Sequence, residues 1–220
     1  MFYRTLKRCF DFFCALIALL VLSPIFLLTA LGILVSDWGP ILYTAHRIGK
    51  GNKPFKMYKF RSMRVAKAAN EASLRPDEDR IFPFGHFIRK AKIDELPQLI
   101  NILNGTMSII GPRPVAEDQF DMFRYGKGDE AAKVPVGLSG PAALYDYIYG
   151  DQITDEAEYM EKVYPTRREL EYTYVQKAGL WYDLKMIVYT VICILYSLCG
   201  KECKWILNEL VEEANKTMNQ

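Results

Sequence analysis

The chain has 220 residues, with 28 Lys and Arg against 26 Asp and Glu and a formal net charge of +2. That length allows one domain with a real core and a short additional segment. The five cysteines form no CxxC pair and have no histidine cluster near them, which argues against zinc or a disulfide framework. There is also no Walker phosphate loop and no GxGxxG motif.

The charge is unevenly distributed along the chain. From Arg47 to Lys92 there are 13 Lys and Arg against 4 Asp and Glu, whereas from Val115 to Val175 there are 6 against 13. Such asymmetry predicts a cationic surface that meets phosphates, whether those of nucleotides, lipid headgroups or nucleic acid.

The N-terminal segment predicts a membrane anchor over residues 1–40. Phe12 to Val35 is a run of 24 residues without a charge, and about 20 residues suffice to cross a bilayer. The run is longer than the apolar region of a signal peptide, and Asp37 to Pro40 does not resemble a cleavage site. We therefore expect the segment to be retained.

Ser23 and Pro24 interrupt this run. Pro24 cannot donate a backbone hydrogen bond and its ring crowds the carbonyl of Leu20. The Ser23 hydroxyl can satisfy a freed carbonyl locally. Because Lys and Arg tend to stay in the cytoplasm, cations on both flanks favour both ends on one side. A re-entrant helix-break-helix and a spanning helix with a proline kink both remain open. The flanking cations are Arg4, Lys7, Arg8, Arg47 and Lys50.

The segment after the anchor predicts a small β-hairpin followed by helices. Strand-prone residues at 41–43 and 55–60 flank a Gly-Lys-Gly-Asn turn at 49–52. Val65 to Arg80 reads as a helix or a mobile loop. Helices are expected at Gly85–Lys90, Glu95–Leu103 (ended by Asn104-Gly105), around Ala116–Tyr125 and at Asp155–Lys177.

The C-terminal run from Met186 to Cys199 holds 14 largely apolar residues, which is short for a span. Its aromatic residues suit a membrane interface, so we expect an in-plane amphipathic helix, with a buried core helix as the alternative. The fold class is therefore α+β and mainly helical: an anchor at 1–40, a compact helical domain with the small β-hairpin at 41–180, and an interfacial helix and tail at 181–220.

Lys59 and Arg61 are candidate phosphate ligands. In a strand they share one face, where they could clamp a diphosphate, because Arg offers paired donors and Lys a compact charge. Attraction to anionic lipid is the alternative. Arg113, between Pro112 and Pro114, has little freedom to lose on binding and suits an oxyanion or a nucleobase edge.

Asp94 and Glu95 are the candidate catalytic residues. Pro97 fixes a helix start near them, where unpaired N–H groups and the helix dipole favour negative charge and phosphate. Two adjacent carboxylates can hold Mg²⁺, which prefers oxygen ligands and can bind substrate phosphates at the same time. Simple capping of the helix is the alternative.

These features together resemble a known family. The apolar segment with Ser23-Pro24, "FKMYKFRSM", "KIDELPQLINILNGTMSIIGPRP" and "VGLSGPAALYDYI" resemble the bacterial sugar transferases. More narrowly, they are similar to the small monotopic phosphoglycosyl transferases. The resemblance runs from about Phe2 to Pro141 and resumes weakly at "YVQKAGLWYDLKMIVYTV".

The resemblance implies transfer of a sugar-1-phosphate from a UDP-sugar to undecaprenyl phosphate, giving UMP and an undecaprenyl-diphosphate sugar. It implies Asp94 as the nucleophile that carries a covalent phosphosugar, Glu95 as its partner, and Mg²⁺ as the cofactor held by both. Ser23-Pro24 becomes the break of a re-entrant helix, and Arg113 falls in the loop associated with the nucleotide. Lys59, Arg61 and Arg89 are the expected phosphate contacts.

The implied setting is the cytoplasmic face of the bacterial inner membrane, with membrane lipids but no nucleic acid as partners; a homodimer is one form that the sequence allows. Pro141 to Gln152 departs from the family pattern, which leaves the sugar open, and the glycan pathway is open too. The alternative function is a non-catalytic membrane-anchored protein that binds anionic lipid.

Overall fold

The computed structural model describes residues 2–65, 78–123, 126–153 and 155–218. Most of the polar stretch from Val65 to Arg80 lies outside these residues, as do Arg124 and Tyr125 of the expected helix at 116–125. The described part is mainly helical with a small sheet, as the sequence predicts.

The strands lie in the first two thirds of the chain, and the last five helices follow one another without a strand between them in the described residues. The helices are α1 (Phe2–Ser36), α2 (Pro83–Lys90), α3 (Gln98–Asn104), α4 (Phe120–Phe123), α5 (Pro141–Ile148), α6 (Glu156–Lys162), α7 (Tyr164–Lys177), α8 (Leu180–Leu198) and α9 (Lys204–Met218). The strands are β1 (Leu42–Ile48), β2 (Pro54–Phe60), β3 (Ser108–Ile110), β4 (Val115–Ala116) and β5 (Gly137–Ser139).

Helix α1 continues through Pro24. The Ser23 hydroxyl donates a 2.8 Å hydrogen bond to the carbonyl of Leu20, the group that a proline at position 24 leaves without its helical donor. This local compensation is confirmed. Both α1 and α8 are long and apolar enough to cross a membrane.

The two ends of α1 pack against the same domain. Near its start, Arg8 donates to the carbonyls of Ile102 and Leu103 in the last turn of α3. Near its end, Ile33 is fully buried in a cluster with Phe60. Both ends of this 35-residue helix, which would be about 52 Å long if straight, thus contact one domain.

The predicted hairpin is confirmed. Strands β1 and β2 pair antiparallel from Leu42 opposite Phe60 to Ile48 opposite Pro54, and Gly51 in the turn has a positive φ of 67°, which favours glycine. Strand β4 pairs with the other edge of β1, so the sheet order is β2-β1-β4.

A second sheet of two parallel strands, β3 and β5, fixes the loop at 111–114. The N–H of Gly111 donates to the Ser139 carbonyl at 2.9 Å, and that of Gly137 donates to the Pro112 carbonyl at 2.8 Å. A Cβ atom at Gly111 would lie 2.3 Å from the Pro135 carbonyl oxygen. Only glycine allows this close approach of two backbones.

The predicted helices differ from the structure mainly in their bounds. The expected helix at Glu95–Leu103 is a 3₁₀ turn over Ile93–Glu95 followed by α3, which starts after Pro97. Gly105 ends α3 at a φ of 80°, as the Asn-Gly pair predicts. The expected helix at 155–177 is two helices, and the Asp155 side chain caps the first.

Helices α5, α7, α8 and α9 share one apolar core, which includes Leu144, Tyr174, Met186 and Ile206. Helix α8 has 19 residues and is longer than the apolar run because it begins at Leu180. Whether it lies in a membrane interface stays a prediction.

Candidate active site

Asp94 lies in a tight connection between α2 and α3. Lys92 takes a left-handed conformation with φ of 55°, and the 3₁₀ turn over Ile93–Glu95 follows. This geometry turns the Asp94 side chain inward, where only 6% of the residue is exposed. Its Oδ1 is buried and accepts no hydrogen bond from the described residues. A buried carboxylate oxygen without a donor is costly, so this atom is a candidate for binding a ligand or reacting with one.

Glu95 is paired with Lys59 on β2. The Lys59 Nζ lies 2.8 Å from Glu95 Oε1, and both side chains are mostly buried. Asn101 connects the same strand to α3, because its amide donates to the Lys56 carbonyl at 2.7 Å and accepts from the Tyr58 N–H at 3.0 Å. The strand therefore holds the Lys59 amine against the turn that carries both carboxylates.

The two carboxylates have opposite pKa shifts. Burial and the charge of Glu95 raise the pKa of Asp94, and nearby cations only partly oppose this. Burial disfavours the charged form of Glu95 as well, but Lys59, Lys92 and Arg113 outweigh it and hold the pKa of Glu95 well below its usual range. Adjacent carboxylates whose environments separate their pKa values are typical of catalytic sites.

A cleft of about 560 Å³ surrounds the pair. Its lining is rich in cations, which include Lys59, Arg61, Arg64, Arg80, Arg89, Arg113 and Arg167. Facing them are Asp94, Glu95, Asp146 and Asp151. An anion of more than one charge fits such a lining best.

Lys59 and Arg61 both line the cleft, but their side chains have different partners. Strand β2 ends at Phe60, and the Arg61 guanidinium donates to the Asp37 carboxylate and to the carbonyls of Asp37 and Pro40. It also stacks 5.5 Å from the centre of the Phe82 ring. The side chain thus binds the chain segment that follows α1.

Arg89 and Arg113 line the cleft from two different elements. Arg89 on α2 has its Nη1 3.5 Å from the Ser62 hydroxyl. Arg113, in the loop fixed by the second sheet, has its Nε 3.7 Å from Asp146 Oδ2, and its side chain is 37% exposed. Both cations line the cleft around Asp94 and Glu95.

Sequence reasoning missed a buried network behind Arg113. Arg167 on α7 lies 3.6 Å from both Asp146 and Glu171 and donates to the Tyr159 hydroxyl at 2.9 Å. Asp146 belongs to the stretch at 141–152 that departs from the family pattern. That departure is the sequence feature that could have pointed to the network. The network ties Arg113 to α7.

Sequence reasoning also passed over Lys92, whose charge helps to lower the pKa of Glu95. Its Nζ lies 3.5 Å from Asp151 Oδ2 and 4.6 Å from the centre of the Tyr147 ring. Its position directly before the Ile-Asp-Glu turn is the sequence feature that could have identified it.

The residues present fit a magnesium ion bound through few protein ligands. No group of three or more His, Cys, Asp or Glu side chains with metal-binding potential occurs among the residues that the structure describes. Magnesium, however, commonly uses only one or two carboxylates and takes its other ligands from water and substrate phosphate. The buried Oδ1 of Asp94 without a donor suits that role.

The fold and the cleft define a class of protein: an apolar N-terminal helix joined to a domain whose cationic cleft surrounds a buried carboxylate, which suits substrates that carry phosphate. The family model for bacterial sugar transferases matches residues 2–197. The chain belongs to the bacterial sugar transferase family, as its sequence resemblance predicts.

The curated relatives carry consistent names. The chain is 36% identical over 193 residues to the UDP-glucose:undecaprenyl-phosphate glucose-1-phosphate transferase of Escherichia coli, covering 86% of this chain and 40% of that protein. It is 36% identical over 205 residues to a UDP-N-acetylgalactosamine-undecaprenyl-phosphate N-acetylgalactosaminephosphotransferase of Aeromonas hydrophila, covering 88% and 44%. The chain thus spans less than half the length of these two relatives.

A third relative has a similar length. The exopolysaccharide production protein ExoY of Sinorhizobium fredii is 35% identical over 211 residues, covering 87% of this chain and 86% of that protein. Family membership together with the apolar α1 indicates association with a membrane.

Proposed function

We propose that this chain transfers a sugar-1-phosphate from a UDP-sugar to undecaprenyl phosphate, giving undecaprenyl-diphosphate sugar and UMP. The observation that carries the proposal is the buried Asp94 carboxylate, whose Oδ1 lacks a hydrogen-bond donor inside a cationic cleft. The names of the E. coli and Aeromonas relatives support the donor and acceptor classes.

The transfer takes place in two displacements. An Asp94 oxygen attacks the β-phosphorus of the UDP-sugar, the bond between that phosphorus and the bridging oxygen breaks, and UMP leaves with the bridging oxygen. An aspartyl phosphosugar remains. An oxygen of undecaprenyl phosphate then attacks the same phosphorus and releases the Asp94 carboxylate. Covalent catalysis of this kind gives ping-pong kinetics.

The raised pKa of Asp94 favours its role as nucleophile. A more basic carboxylate is a stronger nucleophile once it has lost its proton, and burial removes the water that would otherwise stabilise it. Glu95 stays ionised over the working pH range because its pKa is lowered. Lys59, bound to Glu95 at 2.8 Å, offsets the repulsion between the two neighbouring negative charges.

The cations of the cleft bind the diphosphate. Arg89 and Arg113 are the proposed phosphate contacts, with Lys59 beside them, because all three line the cleft around Asp94. For Arg61 we propose a different role from the expected phosphate contact: its donors bind Asp37 and Pro40, so it anchors the end of α1.

Asp94 and Glu95 are the residues that would hold magnesium. When bound, the ion would neutralise charge that develops on the diphosphate oxygens. Independently of the ion, the chain contributes the position of the carboxylates and the cations around them.

The site lies at the cytoplasmic face of the inner membrane in this proposal. A re-entrant α1 is supported by the contacts of both its ends with one domain, Arg8 at the start and Ile33 at the end. With both ends on one side, a water-soluble donor and a lipid phosphate can meet at Asp94.

The test incubates purified protein with Mg²⁺, UDP-sugars and undecaprenyl phosphate and measures UMP. The expected result is UMP release in proportion to lipid product, and a mass increase of one phosphosugar at residue 94 when the acceptor is left out. Asp94→Asn should lose on the order of 10³-fold or more of turnover, because its amide cannot carry the phosphosugar.

The matched control is Asp121→Asn on α4, because Asp121 is exposed and does not line the cleft. It should retain turnover, and both variants should still bind membranes. Equal UMP release by Asp94→Asn would remove Asp94 from its proposed role. An anionic-lipid-binding protein without catalysis would release no UMP at all.

A further inference from the structure

An apolar groove adjoins the cationic cleft. It has a volume of about 190 Å³ and runs between the 3₁₀ turn, α5 and α8. Glu95 and Arg113 line both the cleft and the groove. The two cavities are therefore neighbours that share a polar end.

One face of α8 forms a wall of the groove. Ile187, Val191 and Ile194 line it, and their spacing of three to four residues places them on one side of the helix. Ala143 and Leu96 line the groove from α5 and from the turn before α3. Val191 is 51% exposed, so the groove is open along α8.

The few hydroxyl groups in the groove are already satisfied. The Ser139 and Thr190 hydroxyls lie 2.7 Å apart, and Thr190 also donates to the Met186 carbonyl at 2.7 Å. The wall therefore presents apolar surface to an occupant. Lys92 and Arg113 supply positive charge at the end next to Glu95.

We propose that this groove binds the first isoprene units of the polyprenyl phosphate acceptor, with the acceptor phosphate at the Lys92–Arg113 end. This inference rests on the proposed function and adds the location of the acceptor site. An anionic head on an apolar chain matches a groove that is cationic at one end and apolar along its walls.

The size and position of the groove support this occupant. Pockets that enclose a drug-sized ligand have roughly 300–1,000 Å³, so about 190 Å³ accommodates only the start of a long chain. The remainder would continue along the exposed apolar face of α8, where Leu195 and Leu198 are each about half exposed. The acceptor phosphate would then lie beside the turn that carries Asp94.

The experiment places larger side chains in the groove and measures the KM for both substrates. Ala143→Phe and Val191→Trp each add an aromatic ring to the groove wall. Val188→Trp is the matched control, because Val188 is 53% exposed on the same helix but does not line the groove. UMP release by each full-length protein gives the KM for undecaprenyl phosphate and for the UDP-sugar.

The filled variants should raise the KM for undecaprenyl phosphate about tenfold, the loss expected when roughly two buried CH₂ groups are displaced. Their KM for the UDP-sugar, the KM values of Val188→Trp, and sedimentation with phosphatidylethanolamine–phosphatidylglycerol vesicles should not change. Val191→Trp keeps the test valid if Ala143→Phe fails to fold, because Val191 is half exposed.

An acceptor KM within twofold of the wild type in the folded variants would overturn the groove as the acceptor site. Reduced vesicle sedimentation by the filled variants would also overturn it and would assign the groove to bilayer lipid. Either result leaves wild-type UMP release intact. Absence of UMP release by the wild type would instead overturn the proposed function.

Discussion

The Nζ of Lys59 lies 2.8 Å from Oε1 of Glu95, the residue that directly follows the buried Asp94. This amine lowers the pKa of both adjacent carboxylates, yet the pKa of Glu95 is held below its usual range while that of Asp94 is raised by burial and by the charge of Glu95. The chemistry that we propose depends on this difference, because one carboxylate must react while the other stays ionised.

The pH dependence of the wild type should reflect Asp94. A carboxylate attacks phosphorus only when it is ionised, and the pKa of Asp94 is raised by burial and by the charge of Glu95. Activity should therefore be lost, as the pH falls, at a higher pH than for an ordinary aspartate. The kcat/KM for the UDP-sugar measured against pH tests this, and an acid limb at or below the usual aspartate range would contradict it.

Lys59→Gln should move that acid limb to higher pH by about 1 pH unit or more, because an opposite charge nearby normally favours the ionised form. The Lys59 charge lowers the pKa of both Asp94 and Glu95, so its removal raises both. The control is Lys56→Gln, an exposed lysine on the same strand, which should leave the pH profile unchanged. A profile that is the same for both variants would exclude this electrostatic role.

Arg61→Lys separates two roles of Arg61. If the guanidinium anchors the segment after α1, lysine cannot replace its several donors to Asp37 and Pro40. The free energy of unfolding in urea should fall by about 2 kcal/mol, with the KM for the UDP-sugar unchanged. A higher donor KM with unchanged stability would restore the phosphate contact that the sequence suggests.

Arg64→Lys is the control for that experiment. Its side chain is 56% exposed, and its Nε lies 3.9 Å from Asp37. An exposed pair of this kind contributes roughly 0–1 kcal/mol, so the variant should be close to the wild type in stability.

Asp146→Asn should destabilise the domain without removing the nucleophile. Asp146 is buried between Arg167 at 3.6 Å and Arg113 at 3.7 Å, and losing its charge leaves a buried guanidinium with less compensation. We expect a loss of about 3 kcal/mol in the free energy of unfolding. Asp151→Asn, whose side chain is 48% exposed, should lose no more than about 1 kcal/mol. Equal losses would contradict the importance of the buried network.

The sequence predicts local features of this protein better than distant ones. The Gly-Lys-Gly-Asn turn, the end of α3 at Gly105 and the Ser23–Leu20 hydrogen bond each depend on neighbouring residues, and all three are present. Asp94 and Glu95 were selected as candidates because Pro97 marks a helix start and because the surrounding motif resembles that of the family. Their burial could not be predicted, because it depends on how β2 packs against the turn.

The environment of Arg61 shows more clearly why sequence patterns do not predict contacts between distant residues. Alternation along a strand places Lys59 and Arg61 on one face, but β2 ends at Phe60 and Arg61 then contacts Asp37, 24 residues earlier in the chain. Likewise, Arg167 and Asp146 are 21 residues apart on different helices. No local pattern indicates such pairs.

The topology of α1 gives the last prediction. Lys7 near its start is buried against Asp183 at 2.8 Å, and Asp37 just after its end binds Arg61, so charged groups at both ends are held by one domain. A straight span would separate these ends by a bilayer and break one set of contacts, whereas a return at Ser23-Pro24 keeps both sets.

Thr5→Cys, near the start of α1, and Asn52→Cys, after its end, place thiols at exposed positions that test this topology. In intact cells both should be protected from a membrane-impermeant maleimide, and both should react after permeabilisation. The wild type sets the background from the exposed Cys9 and Cys199. Reaction of Thr5→Cys alone in intact cells would mean that α1 spans the membrane.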